Sequence, residues 1–300
     1  MCLMKNWIRQ AAIAALVVST FLVAVPTLQA EAIPPSPASQ ANELHGVIRG
    51  WMDELAKLPE FKAWDQAEFT VSPLGPGTHS WIAIVKNNDL TVGYLIIQAK
   101  ENGGFALGEY GTGDYLFDQT TLRQSLVQLE LISSISESNK PLYIHPLLAV
   151  WDVNGSADET YLDGMSGEWL PLQQATWEKT VKAEEGLAGR YALEGDSVIK
   201  RAVRSRSFDP YSEMPWLIKK PLQATADNTS IVLKALSSKE PLRYTAERYN
   251  KQMLYVWSVT GYHSWGNDGT VYAALETDEL GSSTRYIPLK LLAELGSFYR

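Results

Sequence analysis

Four short runs of β-branched and aromatic residues, separated by turn-forming residues, most constrain the fold of this chain. They cover 68–71, 81–85, 92–97 and 105–110. Between them stand a proline- and glycine-rich segment, Asn88-Asp89 and Asn102-Gly103-Gly104. Short runs of this composition, bounded by such turns, are typical of β-hairpins. The sequence therefore predicts an antiparallel sheet built from consecutive strands.

Two segments beside these runs have the spacing of an amphipathic helix. In 41–58 the apolar residues Leu44, Ile48, Trp51 and Leu55 recur every three or four positions. Residues 120–135 repeat that spacing with leucine and isoleucine. A helix with one apolar face must cover an apolar surface such as a sheet. We therefore expect an α+β fold for 42–175, with a helix packed on the antiparallel sheet.

A second, smaller β-rich unit with a C-terminal helix is predicted for 229–300. Its expected strands are 230–236, 242–248, 253–260, 270–275 and 285–287, followed by a helix over 289–298. The intervening 176–228 is less regular and is interpreted as a connecting segment. The sequence thus divides into a signal peptide at 1–30, a linker at 31–41, and two domains joined by that segment.

Residues 1–30 are laid out like a secretory signal peptide. Lys5 and Arg9 precede an uncharged, mostly apolar segment at 11–25, and a proline and small residues follow. The apolar segment is shorter than the ~20 residues that a membrane-spanning helix needs. Cleavage is expected near Ala30 or Ala32. The mature protein is therefore predicted to be secreted or held in a bacterial envelope, with membrane contact only through the signal peptide before cleavage.

Composition excludes several classes of site and partner. The only cysteine is Cys2, inside the predicted signal peptide, so a mature chain has no disulfide and no thiolate zinc site. The formal net charge is −8, and loss of the two basic residues of the signal peptide lowers it to −10. Such an acidic surface disfavours nucleic acid as a partner.

Residues 160–169, Thr-Tyr-Leu-Asp-Gly-Met-Ser-Gly-Glu-Trp, resemble the closing hairpin of PepSY-type modules. The runs 92–97 and 109–111 are similar to a strand pair in the prodomains of secreted cysteine peptidases. PepSY-type modules, which are similar to the propeptides of secreted bacterial proteases, place a helix against a small antiparallel sheet. The resemblance is confined to residues 41–175. It implies inhibition or chaperoning of a protease in the envelope.

One serine-type catalytic arrangement is open to test. His263, Ser264 and Asp268 bring a base, a hydroxyl and an orienting carboxylate close together in sequence. Adjacent side chains on a strand point to opposite faces, however, so His263 and Ser264 are poorly placed to share a proton. The other interpretation of these residues is a turn that follows an aromatic strand. No Gly-x-Ser-x-Gly sequence is present. The rival class is a hydrolase with this site or with paired carboxylates, for which the candidates by residue type are Glu109, Asp114, Glu159 and Glu168.

A calcium loop is a second open prediction. Strands over 142–153 and 161–163 are expected to be joined by an Asn-Gly turn. Oxygen-bearing side chains around that turn have the spacing of calcium-loop ligands; they are Asp152, Asn154, Ser156, Asp158, Thr160 and Asp163. Ala157 replaces the glycine of the sharp turn, so a hairpin turn with a solvated acidic flank is the other interpretation. Apart from calcium the sequence predicts no cofactor.

Aromatic residues and one basic run are the candidate contacts for a partner. His79 with Trp81, Trp257 and Trp265 is predicted to line a binding groove. The basic run 200–206 is interpreted as a solvated helix face. The alternatives are contact with an acidic wall polymer or partner, and an exposed processing site at Lys200-Arg201. We therefore predict an exported, non-catalytic protein that binds a protein or peptide partner. A cell-wall or carbohydrate-binding module that uses exposed tryptophan is a further alternative.

Overall fold

A computed structural model describes residues 37–300 except 76, 78, 137, 155–158, 196, 267–268 and 278. The predicted signal peptide at 1–30 and most of the predicted linker at 31–41 lie outside the described residues. Within the described part of the chain, no helix is both long enough and apolar enough to cross a membrane. Residues Pro37–Arg300 group into one compact unit by their contacts.

The first four strands are formed by the four β-rich runs of the sequence. They are β1 (Glu68–Leu74), β2 (Ser80–Asn87), β3 (Leu90–Ala99) and β4 (Phe105–Thr112). Each pairs antiparallel with the next, and the β2–β3 turn holds Asn88 and Asp89 in the left-handed conformation. Two consecutive left-handed residues give a hairpin turn whose twist matches that of the strands. The predicted hairpins are therefore confirmed.

The N-terminal helix α1 (Pro37–Leu55) packs on one face of this sheet. Ile48, Trp51 and Leu55 are buried along one side of the helix, as the three- and four-residue spacing predicts. They share a core with Ala83 and Val85 of β2, whereas the alternate β2 residues face a second core on the other side. Burial of each large apolar side chain contributes about 1.5–3 kcal/mol. This core is what holds the helix to the sheet.

A smaller sheet packs against the opposite face of β2 and β3. It contains β5 (Lys140–His145), β6 (Leu148–Val153) and β7 (Thr160–Asp163), all antiparallel. The first two strands form a hairpin that turns at Pro146 and Leu147, whereas the sequence predicted a single strand over 142–153. The helix α2 (Gln119–Gln128) adds to this core, and Asp118 caps its first turn by accepting backbone hydrogen bonds.

The larger sheet continues through strands from the second half of the chain. They are β8 (Leu193–Glu194), β9 (Ile199–Arg204), β10 (Leu242–Arg248), β11 (Met253–Trp265), β12 (Thr270–Glu276), β13 (Thr284–Pro288) and β14 (Ser297–Tyr299). β4 pairs with β13, where Tyr110 lies opposite Tyr286. The described strands give the order β1-β2-β3-β4-β13-β12-β11-β10-β14, with β8 beside β4 and β9 beside β11. The two β-rich ranges predicted as separate domains thus share one sheet.

Four more helices are present among the described residues. They are α3 (Gln174–Glu184), α4 (Leu187–Tyr191), α5 (Ser230–Ser237) and α6 (Leu289–Leu295). Short 3₁₀ helices cover Pro59–Trp64, Ile132–Ser136 and Pro215–Leu217. The α6 helix confirms the predicted C-terminal helix, although the last residues of the predicted range form β14 instead. The predicted α+β class, with a helix on an antiparallel sheet, is confirmed.

Two local predictions are wrong. Residues 230–236 form α5 rather than a strand, because Val232, Ala235 and Leu236 bury one helical face. A short apolar run does not distinguish these alternatives. The basic run is no helix face either, since β9 pairs with β11. A Cβ atom on Gly261 would lie 2.1 Å from the Val203 carbonyl oxygen, so this pairing requires glycine.

Candidate binding cleft

A polar cleft of about 560 Å³ opens between the larger sheet, β5 and α4. His79 and Ser80 enter it at the start of β2, and Gln98 lies near the end of β3. Gly189 and Arg190 of α4 form part of the facing wall. The volume is in the range of small-ligand sites, about 300–1,000 Å³. This cleft is the candidate functional site.

Two glycine-containing turns shape the cleft. In the β3–β4 turn the Lys100 N–H donates to the Gly104 carbonyl at 3.1 Å, and the Gly103 N–H donates to the Lys100 carbonyl at 3.1 Å. Gly103 and Gly104 have φ angles of 87° and 79°. Gly186, with a φ of 78°, turns the chain from α3 into α4. Only glycine takes these angles readily, so the turns fix the two polar walls around one opening.

Gln98 is a mostly buried residue whose side-chain amide has no partner among the described residues. The residue is 7% exposed, and its side chain makes no hydrogen bond to any described residue. Cβ atoms on Gly189 and Gly108 would lie 3.2 Å from its Oε1 and 3.5 Å from its Nε2, so the glycines give the amide room. The Oε1 and Nε2 atoms of Gln98 are not fully buried, so both reach the solvent of the cleft. The donors and acceptor of this amide are therefore available to a ligand in the cleft.

Charges of both signs surround the opening. Lys100 Nζ and Glu194 Oε2 form an ion pair at 2.7 Å, and Arg190 Nη1 lies 3.6 Å from Glu294 Oε1. Glu185 adds another carboxylate to the rim. Exposed pairs of this kind are worth about 0–1 kcal/mol each. They exchange partners at little cost, so the rim can contact a ligand that carries both charges.

A buried ion pair lies directly behind the cleft. Tyr143, which lines the cleft, donates its hydroxyl to Glu109 Oε2 at 2.9 Å. Tyr94 donates to Glu109 Oε1 at 2.6 Å, and Arg285 Nη2 donates to both oxygens at 3.0 Å. Burial raises the pKa of Tyr94 and of Tyr143 well above the usual value, so both hydroxyls keep the protons they donate. Burial lowers the pKa of Arg285, but the Glu109 charge together with Tyr94 and Tyr143 outweighs burial and raises it above its usual value.

His145 belongs to a second buried cluster, one residue beyond the cleft wall on β5. Its Nε2–H donates to Glu184 at 2.7 Å, while the Leu147 N–H donates to Nδ1 at 3.1 Å. Burial lowers the pKa of His145 in spite of the carboxylate. Burial alone would raise the pKa of Glu184, but hydrogen bonds from His145 and Arg248 lower it to about 2. The neutral imidazole therefore links β5 to α3.

The predicted catalytic residues do not meet. His263 is buried; its Nδ1 accepts from the Tyr110 hydroxyl at 2.9 Å, and its Nε2–H donates to Glu60 at 3.1 Å. Trp265 Nε1–H donates to the Tyr110 oxygen at 3.0 Å, which leaves the hydroxyl proton for His263. No described hydrogen bond joins His263 to Ser264, because successive side chains on β11 point to opposite faces. Asp268 lies outside the described residues.

Of the four predicted groove residues, His79 lines the cleft and the three tryptophans do not. Trp257 and Trp265 are buried in the two cores of the larger sheet. Trp81 is half-buried against Phe105, with ring centroids 5.5 Å apart. The strand alternation places these rings in packing positions, so they do not form an exposed groove.

The predicted calcium ligands are partly described. Asp152 and Asn154 lie in β6 and just after it, Thr160 and Asp163 lie in β7, and Ser156 and Asp158 are outside the described residues. Asp163 accepts from two turn N–H groups at 2.9 and 2.8 Å and from the Tyr255 hydroxyl at 3.0 Å. Among the residues that the structure describes, no group of three His, Cys, Asp or Glu side chains could hold a metal. Calcium stays a prediction.

Three residues of the site and of the buried clusters were not predicted from the sequence: Gln98, Glu60 and Glu184. Gln98 does carry a signal, because it is a polar residue inside the apolar run of β3. A buried polar side chain in such a run needs a partner or a role. Glu60 and Glu184 carry no comparable signal, since the histidines they contact are 203 and 39 residues away. Glu109, a carboxylate candidate, is instead the buried partner of Arg285.

No protein-family model matches this chain, and no curated protein or solved structure matches it either. A function for this chain therefore has to be inferred from its fold and its cleft. They define an α+β protein in which a polar cleft lies at the end of a large antiparallel sheet.

Proposed function

We propose that this chain is an exported, non-catalytic protein that binds a peptide segment in the polar cleft. The observation that carries the proposal is Gln98, a mostly buried residue at the cleft wall whose side-chain amide bonds to no described residue and faces the cleft. Its side chain offers an acceptor and two donors, which is the complement that a peptide group needs. A ligand with backbone amides satisfies this group better than an apolar ligand does.

The charges of the rim support a peptide as well. Lys100 and Arg190 provide positive charge, and Glu101 and Glu194 provide negative charge, around the same opening. A peptide brings charges of both signs in its termini and side chains, whereas a simple anion or cation meets repulsion from part of this rim. His79 is exposed at the mouth and adds a further hydrogen-bonding group.

Two observations favour a non-catalytic role. The buried imidazoles of His145 and His263 are each held between a donor and a carboxylate, and neither lines the cleft. His79 does line the cleft, but its ring bonds to no described carboxylate that would orient it as a base. A general base must reach the substrate, directly or through one water. The resemblance of 160–169 to PepSY-type modules favours a binding role too, since those modules are associated with inhibition or chaperoning in the envelope. The arrangement of charge, apolar residues and small residues in 1–30 supports export.

Replacing Gln98 by leucine is expected to weaken peptide binding about tenfold or more, because the variant removes the amide that pairs with the ligand backbone. The purified protein is immobilised and incubated with a tryptic digest of casein as a mixed peptide pool. Mass spectrometry identifies the retained peptides, and calorimetry then gives the dissociation constant of the most enriched peptide for each variant.

Gln223→Leu is the matched control, because Gln223 is exposed and does not line the cleft. It should retain the same peptides as the unmodified protein. The proposal fails if the protein retains no more peptide than a column without protein. It also fails if Gln98→Leu and Gln223→Leu bind the enriched peptide equally well.

Export predicts that a bacterial host removes the first 30 or 32 residues of the full-length chain. The product recovered outside the cytoplasm should begin just after Ala30 or Ala32, as read by N-terminal sequencing. A Lys5→Glu, Arg9→Glu variant should stay uncleaved in the cytosol, because the basic start of the signal is lost. Recovery of the unmodified chain uncleaved from the cytosol contradicts export. It does not affect the peptide-binding measurement, which uses the purified protein.

A further inference from the structure

A second groove, of about 820 Å³, lies between the segment after β7 and the turn that joins β10 to β11. Trp169 lines it and is 56% exposed. The exposure is unusual in this chain, where Trp51, Trp64, Trp151 and Trp265 are fully buried. A large aromatic ring left in solvent at a concave surface is a common mark of a binding site.

The backbone around Trp169 is fixed although its ring is free. Trp169 forms an antiparallel bridge with Leu162 of β7, and the Leu170 N–H donates to the Tyr161 carbonyl at 2.9 Å. Leu170 and Leu172, on either side of Pro171, are buried in the core beneath. The indole is therefore held at the surface by a rigid segment, so a ligand that stacks on it does not have to order the chain.

The facing wall is a strained turn. Tyr249, Asn250 and Lys251 have φ angles of 53°, 56° and 67°, so three successive residues other than glycine are left-handed. Such conformations persist where the surrounding structure enforces them, and they cluster at functional sites. The Tyr249 ring is buried, which anchors the turn. Asn250 and Gln252 line the groove, and their side-chain amides make no hydrogen bond to a described residue.

We propose that this groove binds a neutral oligosaccharide, with a sugar ring stacked on Trp169. The apolar C–H face of a sugar fits an indole face, and its hydroxyls both donate and accept hydrogen bonds. The amides of Asn250 and Gln252 donate and accept in the same way, and the Glu159 carboxylate accepts. Glu159 and the acidic balance of the chain disfavour anionic sugars.

Calorimetric titration of the purified protein with cellotetraose, maltotetraose and chitotetraose tests the proposal. At least one of these tetrasaccharides should bind with a millimolar or lower dissociation constant. Trp169→Ala should weaken that binding about tenfold or more, and Trp169→Phe should lose less, because a smaller ring still stacks. Asn250→Ala and Gln252→Ala should each weaken it several-fold.

Tyr211→Ala is the matched control, because Tyr211 is 53% exposed and does not line the groove. It should bind as the unmodified protein does, and thermal unfolding should show that all variants are folded. Failure of the unmodified protein to bind any of the three sugars at millimolar concentration overturns the proposal. Equal binding by Trp169→Ala overturns it as well. Gln98→Leu should leave sugar binding unchanged, which separates this site from the peptide cleft.

Discussion

Replacing Arg285 by methionine is expected to lower the free energy of unfolding by about 3–5 kcal/mol. The substitution leaves the buried Glu109 carboxylate with hydroxyl donors from Tyr94 and Tyr143 but without its positive charge. A buried charge that has lost both water and its counter-ion is strongly destabilising. Unfolding in guanidinium chloride, followed by tryptophan fluorescence and circular dichroism, measures the change.

Arg300→Met is the matched control for this measurement. Arg300 also pairs with a carboxylate, Glu240, at 2.6 Å, but both side chains are exposed. Its removal should change the free energy of unfolding by less than about 1 kcal/mol. The double variant Glu109→Gln, Arg285→Met should recover part of the loss, because it leaves no unpaired charge inside. Equal losses in Arg285→Met and Arg300→Met would contradict the structural role of the buried pair.

The buried pair also bears on the cleft, because it joins the two sheets beneath it. Glu109 lies on β4 and Arg285 on β13, while Tyr143 lies on β5 of the smaller sheet. Arg285 Nη2 also donates to the Pro146 carbonyl at 3.0 Å, in the turn that follows β5. One guanidinium therefore positions both sheets, and with them Tyr143 and Ile144 of β5 at the cleft wall.

Local patterns predicted the first half of the fold. In β1 to β4, apolar residues either alternate with polar ones or follow one another, and turn residues bound each strand. The helix α1 has a single apolar face. Both patterns depend on neighbours within a few positions, so sequence alone reveals them. Residues 230–236 were predicted wrongly, because a seven-residue segment with five apolar residues fits a strand or a buried helix equally well.

Long-range pairing could not be predicted in this way. Glu109 and Arg285 are 176 residues apart, and nothing near either residue indicates the other. The basic run in β9 was predicted as a surface helix, because its pairing with β11 cannot be seen in the local sequence. Trp257 and Trp265 were predicted to line a groove, but both side chains lie in packed cores on the faces of β11. Only His79 among the predicted groove residues reached the cleft, since it stands at an exposed strand end.

Two histidine–glutamate pairs make the fold sensitive to acid. Burial lowers the pKa of both His145 and His263 from the usual 6.5, although Glu184 and Glu60 act in the opposite direction. Protonation of His145 would turn Nδ1 into a donor facing the Leu147 N–H, which donates to it now. Burial alone would raise the pKa of both carboxyls, but hydrogen bonds from the two histidines help to lower them below the usual 4.5.

All four pKa shifts change the free energy of unfolding in the same direction. Each group binds its proton more weakly in the folded chain than in the unfolded chain, so the unfolded state takes up more protons as the pH falls. The histidines therefore reduce stability as the pH falls through 6.5, the usual value of this side chain. The carboxyls add a further loss below 4.5, which for Glu184 ends near pH 2.

The free energy of unfolding should thus fall between pH 7 and pH 5, with a slope of up to about 1.4 kcal/mol per pH unit for each buried histidine. The variant His145→Gln, His263→Gln should flatten this region, because a glutamine amide can donate to the carboxylate and accept at its oxygen without titrating. The loss at lower pH should remain, since Glu60 and Glu184 are still present. His79→Gln replaces an exposed imidazole and should leave the profile unchanged. A double variant that keeps the full slope would show that acid sensitivity arises outside these two pairs.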